Sequence, residues 1–449
     1  MILSLIQKDI DACIARLEAL LERSVLFGAA AEKVRQLLKI AIQEAKKLAG
    51  ESRQPSRLGL VGAFSAGKTR LLETLLGCAG RLKDLVDERP TSGNIVEFEL
   101  VAGTQARTEL GGWKVAFMSR DTDAAQILRR LLTEARSEQT RDRLDRLNVL
   151  LDAAEFGIDN TLSWIKAQEW AQAAHAEAMG RQLKTIAFEV FRLTRTVAYA
   201  GDWLGREFLI GDEAQAHALM ALSTDRSHYG IPLDKWKVEF PPAPPAAPSP
   251  LPTLSPEQLK ALFPVVHKIH VRATLSPLVA ESLGGDHMRI VDCPGADADE
   301  SNFRDSVICA EELQDVDTVL VLLNGRQPGQ KRAFLDDLLR IWGNQAKSRI
   351  LAVVSRFDQL PVTRPQDLDA LAAGTGPLTA KDLRAAVVNF ETVYEAAKDT
   401  VLDKNPARVC LVSTLAYLTE RLLNEREPAR GTPDFYANQL HYAPNPADA

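Results

Sequence analysis

Cysteine is scarce and poorly placed for bridging. Cys13, Cys78, Cys293, Cys309 and Cys410 are odd in number, lie far apart and contain no C-x-x-C pair, which excludes a disulfide framework and a zinc ribbon. A reducing, cytoplasmic setting is expected. Positive charge is not in excess either: 54 basic residues against 60 acidic ones give a net charge of -6. No overall basic field is available to hold nucleic acid, and no nucleic-acid partner is expected. No stretch approaches the roughly 20 uncharged apolar residues of a spanning helix. Lys8, Asp9 and Asp11 interrupt the apolar N-terminus before a signal-peptide core could form. The seven histidines make no H-E-x-x-H or other metal cluster, and no Ser-His-Asp arrangement can be argued from spacing. Proline is missing from Thr91 to Ile231, while eight prolines fall between Pro241 and Pro256.

The chain has 449 residues, 46% hydrophobic and 25% charged, ordinary globular composition with room for roughly three domain-sized units. Ile6, Ile10, Cys13, Leu17 and Leu20 recur at helical steps, and Val34, Leu37, Ala41, Ala45 and Leu48 repeat the pattern after Gly28. That spacing predicts a helical hairpin over 1–52, its stripes serving packing or, in the alternative, a partner helix or self-association. From Ser56 a short apolar strand, a loop and a helix open an α/β domain. Further buried-strand runs follow at IVEFELV, KIHVRA, MRIVDC, TVLVLLN, RILAVVS and RVCLVS, the signature of a mostly parallel sheet covered by helices.

Too many residues separate the early strands from the late ones for a loop, so the pattern predicts a graft. Residues 56–101 form the first part of the α/β domain and 102–240 an inserted, mainly helical domain. ARTELGGWKVAFMS is expected to turn as a hairpin at Gly111-Gly112, and the proline-free stretch beyond it suits unbroken helices. Residues 241–262 read as a stiff polyproline linker, or as a ligand for a proline-recognition domain. Residues 263–426 complete the α/β domain, and 427–449 form an irregular tail.

Gly62-Ala63-Phe64-Ser65-Ala66-Gly67-Lys68-Thr69 satisfies G-x-x-x-x-G-K-[ST] between a predicted strand and helix. The glycines let backbone wrap phosphates, successive N–H groups form an anion nest, Lys68 reaches the β/γ-phosphates and Thr69 offers a hydroxyl to Mg²⁺. Arg289-Ile290-Val291-Asp292-Cys293-Pro294-Gly295 ends a strand on D-x-x-G, where Asp292 would hold Mg²⁺ through water and the Gly295 N–H would sense the γ-phosphate; the alternative is an Asp-led turn. Ser355-Arg356-Phe357-Asp358 is similar to [NT]-K-x-D. Asp358 would accept from guanine N1–H and its exocyclic amine, with Arg356 against the ring; its alternative role is a loop cap. Ser413-Thr414 fits a weak guanine O6 contact. In the Glu88-Arg89-Pro90-Thr91-Ser92 loop, Thr91, with Ser92 as alternate, is the candidate for Mg²⁺ and the γ-phosphate.

Taken together, GAFSAGKTRLLETLLG, the RPTS loop, DCPG and SRFD resemble the dynamin superfamily of large GTPases, TRAFAC-type P-loop proteins, over about 56–101 and 263–426. The resemblance implies a bacterial-type P-loop GTPase domain with a helical hairpin and insertion, using Mg²⁺ and converting GTP to GDP and phosphate. It implies that Ser65 assists hydrolysis together with Lys68 and Thr91, and that two heads pair across the nucleotide. Ala296 stands where small GTPases carry a water-orienting glutamine, so slow turnover accelerated by pairing or a partner is expected. Arg89 is a candidate internal arginine finger or a solvated loop residue. Members of that family usually continue into a helical stalk; here either the insertion and the N-terminal hairpin are expected to replace it, or a protein partner to supply or contact it. The alternatives are a low-turnover nucleotide-binding scaffold and a membrane-peripheral remodeller. For the last, Arg181, Lys184, Arg192 and Arg195 beside Ile186, Phe188 and Phe191 are the candidate lipid-facing surface.

Overall fold

The computed structural model describes residues 2–24, 32–52, 55–62, 67–78, 81–82, 94–155, 161–178, 180–220, 222, 250–283, 288–294, 303–324, 349–355, 390–400 and 409–412. Apolar runs too short for helices become strands of one sheet: β1 (Ser56–Gly62), β2 (Ile95–Ala102), β3 (Glu109–Phe117), β4 (Glu207–Leu209), β5 (Val266–Leu275), β6 (Met288–Asp292), β7 (Thr318–Asn324), β8 (Ile350–Ser355) and β9 (Val409–Val412). Their order is β4-β3-β5-β2-β6-β1-β7-β8-β9. β6, β1, β7, β8 and β9 run parallel to one another, as do β2 and β5. β2 is antiparallel to β6, and β3 to both β5 and β4.

The helices are α1 (Ile2–Ser24), α2 (Glu32–Ser52), α3 (Lys68–Leu76), α4 (Ala125–Arg141), α5 (Asn148–Glu155), α6 (Thr161–Glu177), α7 (Arg181–Tyr199), α8 (Glu213–Met220), α9 (Pro256–Leu262), α10 (Pro277–Ser282), α11 (Phe303–Glu312) and α12 (Phe390–Thr400). The protein is therefore a mixed α/β fold with a mostly parallel sheet covered by helices. One continuous core runs from the sheet into the insertion. Leu60, Phe98 and Ile290 fill its sheet side, and Leu128, Trp170 and Phe191 its helical side. Among the described residues no helix is long and apolar enough to cross a membrane.

The antiparallel pairing of β2 with β6 sets Val96 opposite Asp292, so the start of β2 and the end of β6 meet at the same edge of the sheet. β5 starts there too, because Ile95 is level with Lys268. Beneath that edge a buried ion network ties five elements together. Arg57 of β1 reaches Glu97 of β2 and Glu312 of α11, each at 3.0 Å. Lys268 of β5 joins the same two carboxylates at 3.3 and 2.6 Å, and Arg289 of β6 meets Glu97 at 3.1 Å. Burial works against ionising Glu312, but hydrogen bonds from His267 and Lys268 hold its carboxyl down to about 2. Glu97 is likewise lowered against the opposing effect of burial, by the charges of Lys268 and Arg57.

Several expectations change. Gly111-Gly112 does not turn a hairpin: β3 runs through it, paired with β5, and absorbs an irregularity between Gly111 and Lys114. Gly112 sits in the left-handed region at φ 60°, so the glycine pair makes a bulge rather than a reversal. β3 and β4 extend the main sheet, although their place in the sequence groups them with the insertion. Residues 256–262, expected within the stiff linker, form α9 with Pro256 in its first turn and a Ser255–Gln258 capping box, positions where proline costs no hydrogen bond. α1 packs against α2, but with a rotated seam: Cys13, Leu20 and Leu37 are exposed, while Leu17, Leu38 and Ile42 turn inward.

The apolar part of the candidate lipid-facing surface of α7 is buried together with Arg192, while Arg181 and Lys184 are exposed. Ile186, Phe188, Phe191 and Arg192 lie against the core, with the Arg192 guanidinium over the rings of Phe188 and Phe263. The basic residue in the apolar stripe lies inside the fold rather than against lipid.

Candidate nucleotide site

Parallel strands bring their carboxyl ends to one edge, where ligands bind in open α/β sheets. Gly62 ends β1 level with Leu322 of β7, Asp292 ends β6 level with Leu60, and Ser355 ends β8 level with Asn324 and Val412. β1 and α3 frame the phosphate-loop sequence. A Cβ on Gly62 would stand 2.8 Å from the Leu322 carbonyl oxygen, so the strand can lie this close only with glycine. Gly67 caps α3 at φ 90°, a left-handed conformation costly for any residue with a Cβ. Its carbonyl accepts from the Leu71 N–H at 2.9 Å and starts the helix. Gly67 has no side chain to cap the first turn of α3, and an uncapped helix start offers its amides and the positive end of its dipole to an anion.

Lys68 is folded back and buried, with Nζ donating to the Gly62 carbonyl at 3.1 Å. This contact ties the first residue of α3 to the last residue of β1 and fixes an ammonium beside the start of the helix. Leu72 and Leu76 anchor α3 in the core, so the lysine projects from a rigid support. Thr69 follows, half-buried on the same turn.

Asp292 is buried and, among the described residues, its Oδ1 has no hydrogen-bond partner. Burial pushes its carboxyl up to about 6, while the Lys68 ammonium pulls the other way. A desolvated carboxylate oxygen left unpaired is costly unless a cation or donor completes it. The next residue is pinned, its Cys293 N–H donating to the Leu60 carbonyl at 3.0 Å. Asp292 is thereby locked to the strand that carries the loop. Behind it the Cys309 thiol of α11 is held well above its ordinary range by a hydrogen bond with Cys293 and by burial.

Hard oxygen donors of this type, a threonine hydroxyl and an unpartnered aspartate, are what Mg²⁺ takes. Thr69 and Asp292 fit such an ion. Among the described residues no three His, Cys, Asp or Glu side chains gather to hold a metal by themselves.

Five expected site residues, Gly62, Gly67, Lys68, Thr69 and Asp292, are described, and they share one edge of the sheet. Ala63, Phe64, Ser65, Ala66, Thr91, Gly295, Arg356, Asp358, Ser413 and Thr414 lie outside the described residues, as do Arg89, Ser92 and Ala296. Ser355, noted in the sequence only as a departure from [NT]-K-x-D, gains a clear place. Its Oγ lies 3.8 Å from where a Cβ of Gly67 would stand and donates to the Leu323 carbonyl at 3.3 Å. The strand leading to Asp358 therefore abuts the phosphate loop.

No family model matches the sequence. No curated protein matches it either. Among solved structures the chain is similar to two chains of an oligomerised bacterial dynamin pair, described as a mechanism for the long-range sensing and tethering of membranes. One aligns at 14% identity and a TM-score of 0.37 over 96% of this chain and 54% of its own length. The other aligns at 14% identity and 0.33, over 89% of this chain and 45% of its own. The chain thus spans about half the length of these neighbours.

Proposed function

We propose that the protein binds GTP at the edge formed by Gly62, Gly67, Lys68 and Asp292 and hydrolyses it to GDP and phosphate with Mg²⁺. The observation carrying this reading is the buried Lys68 ammonium, closed onto Gly62 and acting on the buried Asp292 carboxylate, whose Oδ1 has no hydrogen-bond partner among the described residues. An isolated glycine turn would have no reason to hold a buried lysine beside a buried, unsatisfied aspartate. Both groups become paired when a phosphate tail and its metal arrive.

In this reading the amides at the start of α3 bind phosphate oxygens, and Lys68 stabilises the charge that builds on the β/γ bridge during transfer. Thr69, Thr91 and Asp292 would hold the ion, which when bound would neutralise phosphate charge. Gly295 senses the terminal phosphate, and Ser65 orients the groups near the attacking water. Asp358, three residues beyond the Ser355 that abuts the loop, selects guanine, with Arg356 against the ring and Ser413-Thr414 at O6.

The assembly part of the reading rests on the motif resemblance alone. Two copies pair across the nucleotide face, a partner contributes or contacts a stalk, and any membrane contact is peripheral.

Phosphate release from purified protein at several protein concentrations, with Lys68→Ala as control, tests the proposal. GTP- and Mg²⁺-dependent release that rises with concentration and vanishes in the variant is expected. No release at any concentration, or release unchanged by the substitution, would refute hydrolysis at this site.

A further inference from the structure

The first helix of the insertion is entered through a π-turn, Arg120–Ala124, which joins β3 to α4. Its wide ring is closed by the Ala124 N–H donating to the Ser119 carbonyl at 3.0 Å. Single π-turns of this kind recur at functional points of helices. Asp123 sits on the turn, its Oδ2 accepting from the Ser119 N–H at 2.9 Å and its Oδ1 from the Thr122 hydroxyl at 3.1 Å. His267 of β5 stands between this turn and α11. Its Nδ1 is 3.7 Å from Asp123 Oδ2, and its Nε2 is 3.3 Å from Glu312 Oε1.

Glu311 precedes Glu312 on α11 and faces the same joint. It is half-buried, and among the described residues its Oε1 is out of water without a hydrogen-bond partner. Three carboxylates, those of Asp123, Glu311 and Glu312, thus gather around one imidazole. The strong cations nearby are engaged elsewhere. Lys268 and Arg57 hold Glu312 at 2.6 and 3.0 Å and Glu97 at 3.3 and 3.0 Å. On the π-turn, Arg120 lies over the Trp164 ring of α6 and Asp121 is exposed. From α4, Arg130 acts on Glu311 less strongly than His267 does. α7 meets α11 two turns earlier, where the buried Arg304 donates through its backbone N–H to Glu189 Oε2 at 3.1 Å and through Nη2 to Asn94 Oδ1 at 3.2 Å. The group is not a cation centre, because among the described residues no three such side chains converge to hold a metal.

A carboxylate oxygen that is desolvated and unpaired favours the protonated form. Burial, followed by the charges of Asp123 and Glu312, pushes the Glu311 carboxyl from the ordinary 4.5 up to about 7, against His267 and Arg130. The folded value lies above the unfolded one, so the contribution of the closed joint is full below pH 4.5 and is lost as pH rises through about 7. Once ionised, Glu311 confronts Asp123 across the boundary between α11 and the insertion, and Glu312 beside it.

We propose that Glu311, with His267 and Asp123, forms a pH-sensitive latch fastening the start of the helical insertion to α11 and β5, closed while Glu311 carries its proton and released when its carboxylate ionises beside Asp123 and Glu312. The latch does not depend on the nucleotide reading. It lets pH in the neutral range set how firmly the π-turn and α4 are held to the sheet.

Hydrogen exchange of the full chain at about pH 5 and about pH 8, each corrected for the intrinsic pH dependence of amide exchange, tests this in wild type and Glu311→Gln. A glutamine keeps the shape and carries no titrating proton, and groups common to both proteins cancel in the difference. Over residues 120–132 the variant should gain protection relative to wild type by about tenfold more at the higher pH than at the lower, a figure reduced for solvent screening of a half-buried carboxyl. Asp123→Asn should lessen the loss of protection that wild type shows between the two pH values, and it decides the matter alone if Glu311→Gln does not fold.

A glutamate serving structure alone would change protection in Glu311→Gln equally at both pH values, and that result overturns the inference. So does a wild-type protection over 120–132 that is the same at both, or a pH dependence untouched by Asp123→Asn.

Discussion

Glu189→Gln is expected to make stability less sensitive to pH, and the size of the effect comes from the burial of that carboxyl. Burial pushes Glu189 from the ordinary 4.5 up to about 8. The Arg304 N–H opposes the shift and the charge of Asp305 adds to it. Its folded value lies above its unfolded one, so the stability present below pH 4.5 is lost as pH rises toward 8. In that window the unfolded chain releases the proton and the native protein keeps it. At about pH 7.5, three units above the unfolded value and at about 1.4 kcal/mol per unit, the loss is about 4 kcal/mol. A glutamine fills the same space and can still accept from the Arg304 N–H, but it carries no titrating proton. Urea unfolding of both proteins between about pH 4.5 and 7.5, followed by tryptophan fluorescence, gives the difference directly, because groups common to both cancel. The variant should gain relative to wild type across this range. A difference constant to within about 0.5 kcal/mol would refute a proton held at Glu189.

Glu97→Gln leaves Arg57, Lys268 and Arg289 short of their shared carboxylate, and should cost about 3 kcal/mol in urea unfolding; a loss under about 0.5 kcal/mol would show the network to be solvated. Gly67→Ala forces a Cβ into φ 90°, so it should destabilise by about 1–2 kcal/mol and weaken nucleotide affinity. Unchanged melting and affinity would argue that the loop opens differently. Asp292→Asn should leave the fold intact, since it removes a buried charge with one unsatisfied oxygen, yet abolish the Mg²⁺ dependence of nucleotide binding in a fluorescent-nucleotide titration. Retained Mg²⁺ dependence would remove Asp292 from the ion's ligands.

Most of the sheet was legible because buried parallel strands read as uninterrupted apolar runs, as in TVLVLLN and ILAVVS. Gly62, Gly67 and Lys68 were legible as candidates because they are local in sequence, and the structure places them together at the end of β1 and the start of α3. Gly111-Gly112 misled because a turn and a bulge ask for the same residues, and only pairing with β5 distinguishes them. The basic stripe of α7 misled for a related reason: Arg192 keeps its charge inside the fold by stacking on Phe188 and Phe263 and donating to the Lys260 carbonyl. The hairpin seam was displaced because Cys13 and Leu17 both satisfy helical spacing, and contact with the other helix selects between them. Arg304 had no local signal at all. Its partners Glu189 and Asn94 lie 115 and 210 residues away in the chain, and an Asn, a Glu and an Arg carry no periodicity.

The central claim, a guanine nucleotide seated on Lys68 and read by Asp358, is tested most directly by titrating the protein with fluorescent GTP and ATP in Mg²⁺. Wild type, Lys68→Ala and Asp358→Asn are compared, the last also with xanthosine triphosphate. The account predicts tight binding of GTP over ATP and a loss of about 100-fold in Lys68→Ala, as removal of a charge-assisted phosphate contact implies. It also predicts a switch toward the xanthine nucleotide in Asp358→Asn. Equal affinity for GTP and ATP, or GTP binding untouched by Lys68→Ala, would contradict it.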